Sequence, residues 1–161
     1  MKNINSVTDL PNVPAIYAMY GGRGRGLHVA YVGIGDNLKR RVKQHLVRRN
    51  SSVTTGTSAA TLNPDYVTQV RWWEYRNFSE KHVLQAAELV AFDVLDPALR
   101  SRGAIQEEAK ELYADEAFYE NMMAIFQGES TGRLVIPTIQ DALEKITELE
   151  RRLDDLEKRV K

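Results

Sequence analysis

Residues 14–33, PAIYAMYGGRGRGLHVAYVG, decide the fold, because two apolar segments flank a short run of glycine and arginine. Residues 14–20 and 27–33 have the aromatic and β-branched side chains that are typical of strands. The GGRGRG run between them supplies the glycines that tight turns need. The sequence therefore predicts a β-hairpin with Arg23 and Arg25 at its tip. Two interpretations of this tip are open, a contact with nucleic acid and an ordinary mobile turn.

A helix is predicted over residues 38–49, directly after the hairpin. Leu38, Val42 and Leu46 recur every four residues and so form one apolar stripe. Asn37, or the aspartate before it, is a suitable N-cap because its side-chain oxygen can accept a backbone N–H of the first turn.

Positive charge is concentrated around this helix. Residues 20–50 contain eight lysines and arginines against one acid, a balance of +7 on a chain whose net charge is zero. Such a concentration favours binding to a polyanion, and a merely solvated helix face is the alternative. We assign nucleic-acid binding to Arg23, Arg25, Lys39, Arg40, Lys43, Arg48, Arg49 and, later in the chain, Arg100.

A polar segment separates the basic helix from a third predicted strand. Residues 50–61, NSSVTTGTSAAT, have almost no apolar anchor and are expected to be mobile until a ligand orders them. Residues 65–76, DYVTQVRWWEYR, are β-branched and aromatic with partial alternation. Trp72 and Trp73 are consecutive, so we expect their side chains on opposite faces of this strand.

Glu88 is the acidic residue with the most unusual surroundings. It lies in a helix predicted over residues 77–95, on the same stripe as Leu84, Ala91 and Leu95. Because burying a lone charge is costly, the carboxylate must be paired, protonated or bound to a metal. A functional role and a simple buried salt bridge both remain open.

The last part of the chain carries a heptad repeat. A helix is predicted over residues 105–127, followed by a linker, residues 129–137, in which residues 134–136 add a short strand. From residue 138 to 161, apolar residues occupy the a positions (Ile139, Ile146, Leu153, Val160) and the d positions (Ala142, Leu149, Leu156). Mostly β-branched residues at a, with leucine at two of the d positions, favour a parallel two-stranded coiled coil.

Charged flanks of the heptads agree with this orientation. Lys145 and Arg152 fall at g positions, and Glu150 and Glu157 fall five residues later at e positions. In a parallel homodimer each basic residue would face an acidic residue of the partner. The alternative is an amphipathic helix that packs on its own domain, which Leu143 at an e position favours.

Composition excludes several classes of function. The 161 residues are enough for one domain with an appendage. The chain has no cysteine, which excludes disulfides, thiolate metal sites and cysteine nucleophiles. No segment has the apolar length of a signal peptide or a membrane span, so we expect a cytoplasmic protein that does not enter a membrane.

Five features in this order resemble the GIY-YIG nuclease family. They are AIY at residues 15–17, YVG at residues 31–33, Arg41 and His45 four residues apart, and Glu88 on a later apolar helix. The resemblance extends over residues 14–102. It implies an α/β (α+β) fold, a small three-stranded antiparallel sheet flanked by helices, to which this chain adds a C-terminal coiled-coil helix.

The resemblance also implies a role for each of the five residues. Tyr17 and Tyr31 would position or deprotonate the attacking water, and His45 would hydrogen-bond a tyrosine or relay its proton. Arg41 would stabilise charge on the scissile phosphate. Glu88 would hold a single Mg²⁺, for which Mn²⁺ would substitute.

The domain organisation follows from these assignments. Residues 1–128 form a nuclease-like domain with a helical extension, residues 129–137 a linker, and residues 138–161 a coiled-coil dimerisation helix. Relatives often carry an asparagine where this chain has Arg100, and the arginine is expected to contact phosphate instead.

The predicted function is that of a divalent-metal-dependent DNA endonuclease, acting as a homodimer in which each subunit cuts one strand. A DNA-binding module with weak or no catalysis, dimerised by its coiled coil, is the first alternative. A coiled-coil adaptor whose basic face meets an acidic protein is the second.

Overall fold

The computed structural model describes residues 1–22, 24–51, 62–101, 103–137 and 139–160. In this part of the chain six strands form one mixed sheet, in the spatial order β1-β6-β4-β2-β3-β5. The strands are β1 (Lys2–Ile4), β2 (Ala15–Gly21), β3 (His28–Gly35), β4 (Val67–Trp73), β5 (Leu99–Arg100) and β6 (Gly132–Val135). The helices are α1 (Leu38–Lys43), α2 (Lys81–Leu95), α3 (Glu107–Ala114), α4 (Glu116–Gln127) and α5 (Ile139–Val160).

The predicted hairpin and third strand form the centre of the sheet. β2 pairs antiparallel with β3 on one side and with β4 on the other. All seven residues of β2 are buried, as expected for a strand with neighbours on both edges and helices on both faces. Tyr17 of β2 lies directly opposite Gly33 of β3.

The prediction of a small three-stranded antiparallel sheet is wrong. β5 adds to β3 and β1 adds to β6, both in parallel, while β6 joins β4 antiparallel. β1 and β5 have only three and two residues, too few for an alternating pattern to appear in the sequence, whereas the short strand predicted over residues 134–136 is present as β6, shifted toward the N-terminus. β6 is accommodated at Gly132, where a Cβ would lie 2.1 Å from the Trp72 ring.

The two faces of the sheet carry separate cores. Tyr17, Tyr31 and Trp72 face α1, whereas Ile16 and Trp73 face α2 and α4. The prediction that the two tryptophans point to opposite faces is therefore confirmed. α1 and α2 contact β2 and β3 from opposite faces of the sheet.

Three predicted helices have different bounds in the structure. The helix predicted over residues 38–49 is α-helical only to Lys43 and continues as a π-helical turn, Gln44–Arg48. The helix expected over residues 105–127 is divided at Asp115, whose Oδ1 accepts a hydrogen bond from the Phe118 N–H at 2.9 Å and so begins α4. α2 begins at Lys81, four residues later than expected, because Asn77 has a left-handed backbone with φ 71°.

α5 lies apart from both cores. None of its described residues is buried, and its apolar stripe is between 46% exposed at Leu149 and 88% exposed at Val160. The alternative in which this helix packs on its own domain is therefore wrong for residues 139–160.

Within the described ranges, no helix is long and apolar enough to cross a membrane. Arg23 and most of the polar segment, residues 52–61, lie outside the described residues.

Candidate active site

Tyr17 and Tyr31 project from neighbouring strands onto the same face of the sheet. Their ring centroids are 6.1 Å apart, and the side chains are 0% and 1% exposed. Gly33 makes this approach possible, since a Cβ there would lie 2.7 Å from the Tyr17 Oη and 2.9 Å from the Tyr31 Cε1. The glycine of YVG is therefore required by the side chains around it.

His45 completes an aromatic cluster with the two tyrosines. α1 is followed at Gln44–Arg48 by a π-helical turn, which holds one more residue per turn than an α-helix and occurs frequently at functional sites. This turn places the His45 ring 5.7 Å from Tyr17 and 5.3 Å from Tyr31, measured between centroids. The segment ends at Arg49, whose φ of 56° is left-handed.

Both ring nitrogens of His45 are engaged. Nε2 lies 2.7 Å from the Tyr17 Oη, and Nδ1 lies 2.7 Å from the Ser51 Oγ. Burial, and then the positive charge of Arg41, lowers the pKa of His45 to about 3. The imidazole is therefore neutral at neutral pH, and the side chain is fully buried.

Arg41 is the half-buried cation of the cluster. Its Nη1 donates a hydrogen bond to the Gln44 Oε1 at 2.9 Å, which holds the guanidinium on the side of the helix that faces the sheet. Burial raises the pKa of Tyr17 well above 10 and also raises that of Tyr31, while the charge of Arg41 opposes both shifts. Both phenols are thus protonated at neutral pH and can act as hydrogen-bond donors.

Glu88 approaches the cluster from α2, on the other face of the sheet. It is 6% exposed, and its Oε2 accepts a hydrogen bond from the Ser101 Oγ at 2.5 Å. Burial raises the pKa of Glu88 to about 7, against the opposing effects of this hydrogen bond and of Arg41. Among the described residues no basic side chain forms an ion pair with it, so the salt-bridge interpretation finds no partner there.

The structure brings the five sequence-predicted residues into one electrostatic unit. The charge of Arg41 acts on the pKa of Tyr17, Tyr31, His45 and Glu88, and the carboxylate of Glu88 in turn raises the pKa of Tyr31. The imidazole, the two phenols and the carboxyl group therefore all lie close enough to Arg41 for its charge to change their pKa values.

The donor set of this site fits magnesium. In the described ranges no three His, Cys, Asp or Glu side chains converge as a ready-made metal cage. Mg²⁺, however, is commonly held by one or two carboxylates, with waters and substrate phosphates completing the shell. Glu88 supplies one hard oxygen ligand of that kind.

The predicted nucleic-acid-binding residues have different surroundings. Two of the arginines already have acidic partners at 2.7 Å, Arg40 with Asp36 and Arg49 with Asp65. Both ion pairs are exposed, where such pairs contribute little to stability, so a phosphate can compete for the arginines.

The remaining basic residues have no such ion pair within the described part. Arg25 and Arg48 are exposed, and Lys39 and Lys43 are partly buried along α1. Arg100 is exposed and its Cζ lies 5.1 Å from the centroid of the Phe92 ring, which fixes its direction. Arg23 is outside the described residues.

Sequence reasoning missed the two serines of the site. Ser51 and Ser101 hydrogen-bond His45 and Glu88, but nothing in the spacing of either serine marks it. Ser101 follows Arg100, and the backbone N–H of Ser101 donates to the Val32 carbonyl at 3.2 Å, a pairing that only the folded sheet reveals.

No family model, characterised protein or solved structure matches this chain. The functional assignment therefore rests on the residues of the site.

Proposed function

We propose that this protein is a divalent-metal-dependent DNA endonuclease of the GIY-YIG type. The observation that carries the proposal is that a single guanidinium, Arg41, acts on two phenols, a neutral imidazole and a carboxyl group. Hydrolysis of a phosphodiester needs an oriented water, a cation beside the charge that develops on the phosphate, and a carboxylate ligand for a hard metal ion. These are the groups that the site contains.

In the proposed reaction the oxygen of a water forms a bond to phosphorus while the bond from phosphorus to the leaving oxygen breaks. The water proton passes to the Tyr17 Oη as the Tyr17 proton moves to the His45 Nε2, and the leaving oxygen takes a proton from solvent. Tyr31 and Tyr17 orient the water through their hydroxyl groups. His45 is neutral, and its contact with the Tyr17 Oη gives that hydroxyl a defined direction. Arg41 stabilises the negative charge on the non-bridging phosphate oxygens, an effect that is strengthened by exclusion of water.

Glu88 is the residue that would hold Mg²⁺, with Mn²⁺ as a substitute. The metal, when bound, supplies Lewis-acid stabilisation of the charge on the leaving oxygen. Because burial keeps the pKa of Glu88 near 7, metal binding at this residue is in competition with a proton.

DNA is the substrate class that the charge distribution favours. Residues 20–50 carry +7, and the exposed Arg25 and Arg48 lie in this region. Contacts of lysine and arginine with phosphates release counterions, so the affinity should fall steeply as salt is raised. A cytoplasmic location is part of this proposal.

Dimerisation through residues 138–161 is the second part of the proposal. The apolar stripe of α5 is exposed, so another apolar surface is expected to pack on it. A second copy of the helix supplies such a surface, and its charges at the e and g positions are complementary. In an antiparallel pair e positions would face e positions, so that acids would meet acids, whereas a parallel pair joins Lys145 to Glu150 and Arg152 to Glu157. Two subunits then cut the two strands of one duplex.

One observation favours the alternative of a DNA-binding module without catalysis. Tyr17 and His45 are both fully buried and satisfy each other's hydrogen bonds, as residues of a purely structural network also do. Phosphate must reach these groups for catalysis to occur.

The decisive experiment is cleavage of supercoiled plasmid and genomic DNA with Mg²⁺ or Mn²⁺. The parent is compared with Glu88→Ala and Tyr17→Phe, and with Glu120→Ala, which removes an exposed carboxylate far along α4. We expect fragments from the parent and from Glu120→Ala, none from Glu88→Ala or Tyr17→Phe, and binding of DNA by all four proteins. A parent that binds DNA and never cuts it with either metal would establish the binding module instead.

A further inference from the structure

Ser51 is a buried polar residue for which the proposed reaction gives no role. It is 5% exposed, it follows the left-handed residue Arg49 closely, and its Oγ lies 2.7 Å from the His45 Nδ1. A hydroxyl group in this position affects where the imidazole carries its proton.

Two proton arrangements are compatible with these distances. A neutral imidazole has one N–H donor and one nitrogen lone pair. In the first arrangement Nδ1–H donates to the Ser51 Oγ, and the Tyr17 hydroxyl donates to Nε2. In the second the Ser51 hydroxyl donates to Nδ1, and Nε2–H donates to the Tyr17 Oη.

The chemistry of the two hydroxyl groups favours the first arrangement. A phenol, with a pKa of about 10, is a better hydrogen-bond donor than an aliphatic alcohol, and its ring withdraws density from the oxygen lone pairs and makes it a poorer acceptor. Arg41, whose guanidinium only donates, and the Tyr31 hydroxyl also act on the Tyr17 hydroxyl, but His45 is the partner with a lone pair at a hydrogen-bond distance of 2.7 Å. The phenol proton is therefore directed to the imidazole.

We propose that Ser51 is a positioning residue that accepts the Nδ1 proton of His45 and so holds the imidazole in the tautomer whose Nε2 accepts the Tyr17 proton. Tyr17 is then turned toward His45 with its oxygen lone pairs directed away from the ring. The catalytic consequence rests on the proposed nuclease function, because this geometry matters for rate only if Tyr17 orients the water. The tautomer itself does not depend on that function.

Nitrogen NMR of the full-length protein tests the tautomer without DNA or metal. The chain has three histidines, His28, His45 and His82, so ¹⁵N-histidine labelling gives three ring systems, and His45→Gln identifies the signals of interest. At pH 7 we expect a protonated Nδ1 and an unprotonated Nε2 for His45. A protonated Nε2 in the parent would overturn the proposal.

Two substitutions test the part played by Ser51. Ser51→Ala removes the acceptor and is expected to raise the population with a protonated Nε2 at least tenfold, whereas Ser51→Thr keeps a hydroxyl and should retain the parent pattern. Cleavage by Ser51→Ala should fall about 10- to 100-fold, at or below the lower end of general acid–base effects because Ser51 acts only through His45, with rescue by threonine. An unchanged tautomer in folded Ser51→Ala would contradict the assignment, and if that variant does not fold, the spectra of the parent and Ser51→Thr decide it. A cleavage-inactive parent with the expected tautomer would reject the nuclease and leave the positioning role intact.

Discussion

Glu88 is held in surroundings that disfavour its charge, and this has a measurable effect on stability. Its pKa is about 7 in the folded protein against 4.5 for the free group, so between these values the folded state binds more protons than the unfolded state. Stability must therefore decrease as the pH rises from 4.5 to 7, and the loss is complete above pH 7. The sign is opposite to that of a carboxylate held in a salt bridge.

Glu88→Gln removes this pH dependence. Since one pKa unit corresponds to about 1.4 kcal/mol, we expect the variant to be more stable than the parent at pH 8 without metal, by up to about 3 kcal/mol, and to differ little at pH 4.5. Urea unfolding at both pH values measures the difference, and His45, present in both proteins, cancels from it. Equal free energies of unfolding at pH 8 would show that Glu88 is not desolvated. The same variant should not cut DNA.

Gly33 sets the spacing of the two tyrosines, and Gly33→Ala tests it. The added methyl group would lie within 3 Å of both rings, so one ring must move. We expect a loss of about 1–3 kcal/mol, as for other overpacked cores, together with slower cleavage. Gly26→Ala is the matched control, because a Cβ there meets nothing within 4 Å. If Gly33→Ala were as stable and as active as this control, the close approach of the tyrosines would have no role.

At the scale of the elements, the strands that could be predicted from the sequence are those long enough to show a pattern of apolar and aromatic residues. β2, β3 and β4 have enough residues for apolar and aromatic side chains to identify them, and the spacing of Arg41 and His45 is visible without a structure. β1 and β5 form because their backbones find partners in the sheet, which a pattern of two or three residues does not indicate, while β6 was predicted from its apolar residues but its place in the sheet was not. For the same reason Ser51 and Ser101 were found only from the folded chain, while Glu88 was found from its apolar neighbours.

The pairing of β6 with β4 can be tested by substitution, because it depends on the glycine at position 132. In Gly132→Ala the new Cβ would overlap the rigid Trp72 ring, so the strand must separate from β4 or the ring must leave its position. We expect a loss of about 3 kcal/mol or more, at the upper end for overpacking, and a changed tryptophan fluorescence. Gly103→Ala, which meets nothing within 4 Å, is the control. Parent-like stability in Gly132→Ala would mean that β6 is not packed against Trp72.

For the whole molecule, disulfide cross-linking tests the proposed dimer. Because the chain has no cysteine, only the introduced cysteines can form disulfides. Ala142→Cys occupies a d position near the start of α5, so two such subunits should cross-link in a parallel pair. A mixture of Ala142→Cys with Leu153→Cys should form the mixed product only in an antiparallel pair, in which d positions face a positions. Glu144→Cys, on the outer face, is the control for random oxidation. A monomer in solution, or the mixed product as the main species, would reject the parallel dimer.

The sheet order also has a consequence for the pattern of cuts. Only residues 136–138 separate β6 from α5, and β6 is two strands from β2, which carries Tyr17. Neighbouring strands are about 4.8 Å apart, so roughly 10 Å of rigid sheet connects the start of the dimer helix to the strand of the first tyrosine. In the proposed dimer this distance would contribute to the separation of the two active sites, so we expect that inserting residues between β6 and α5 would change the length of the overhang.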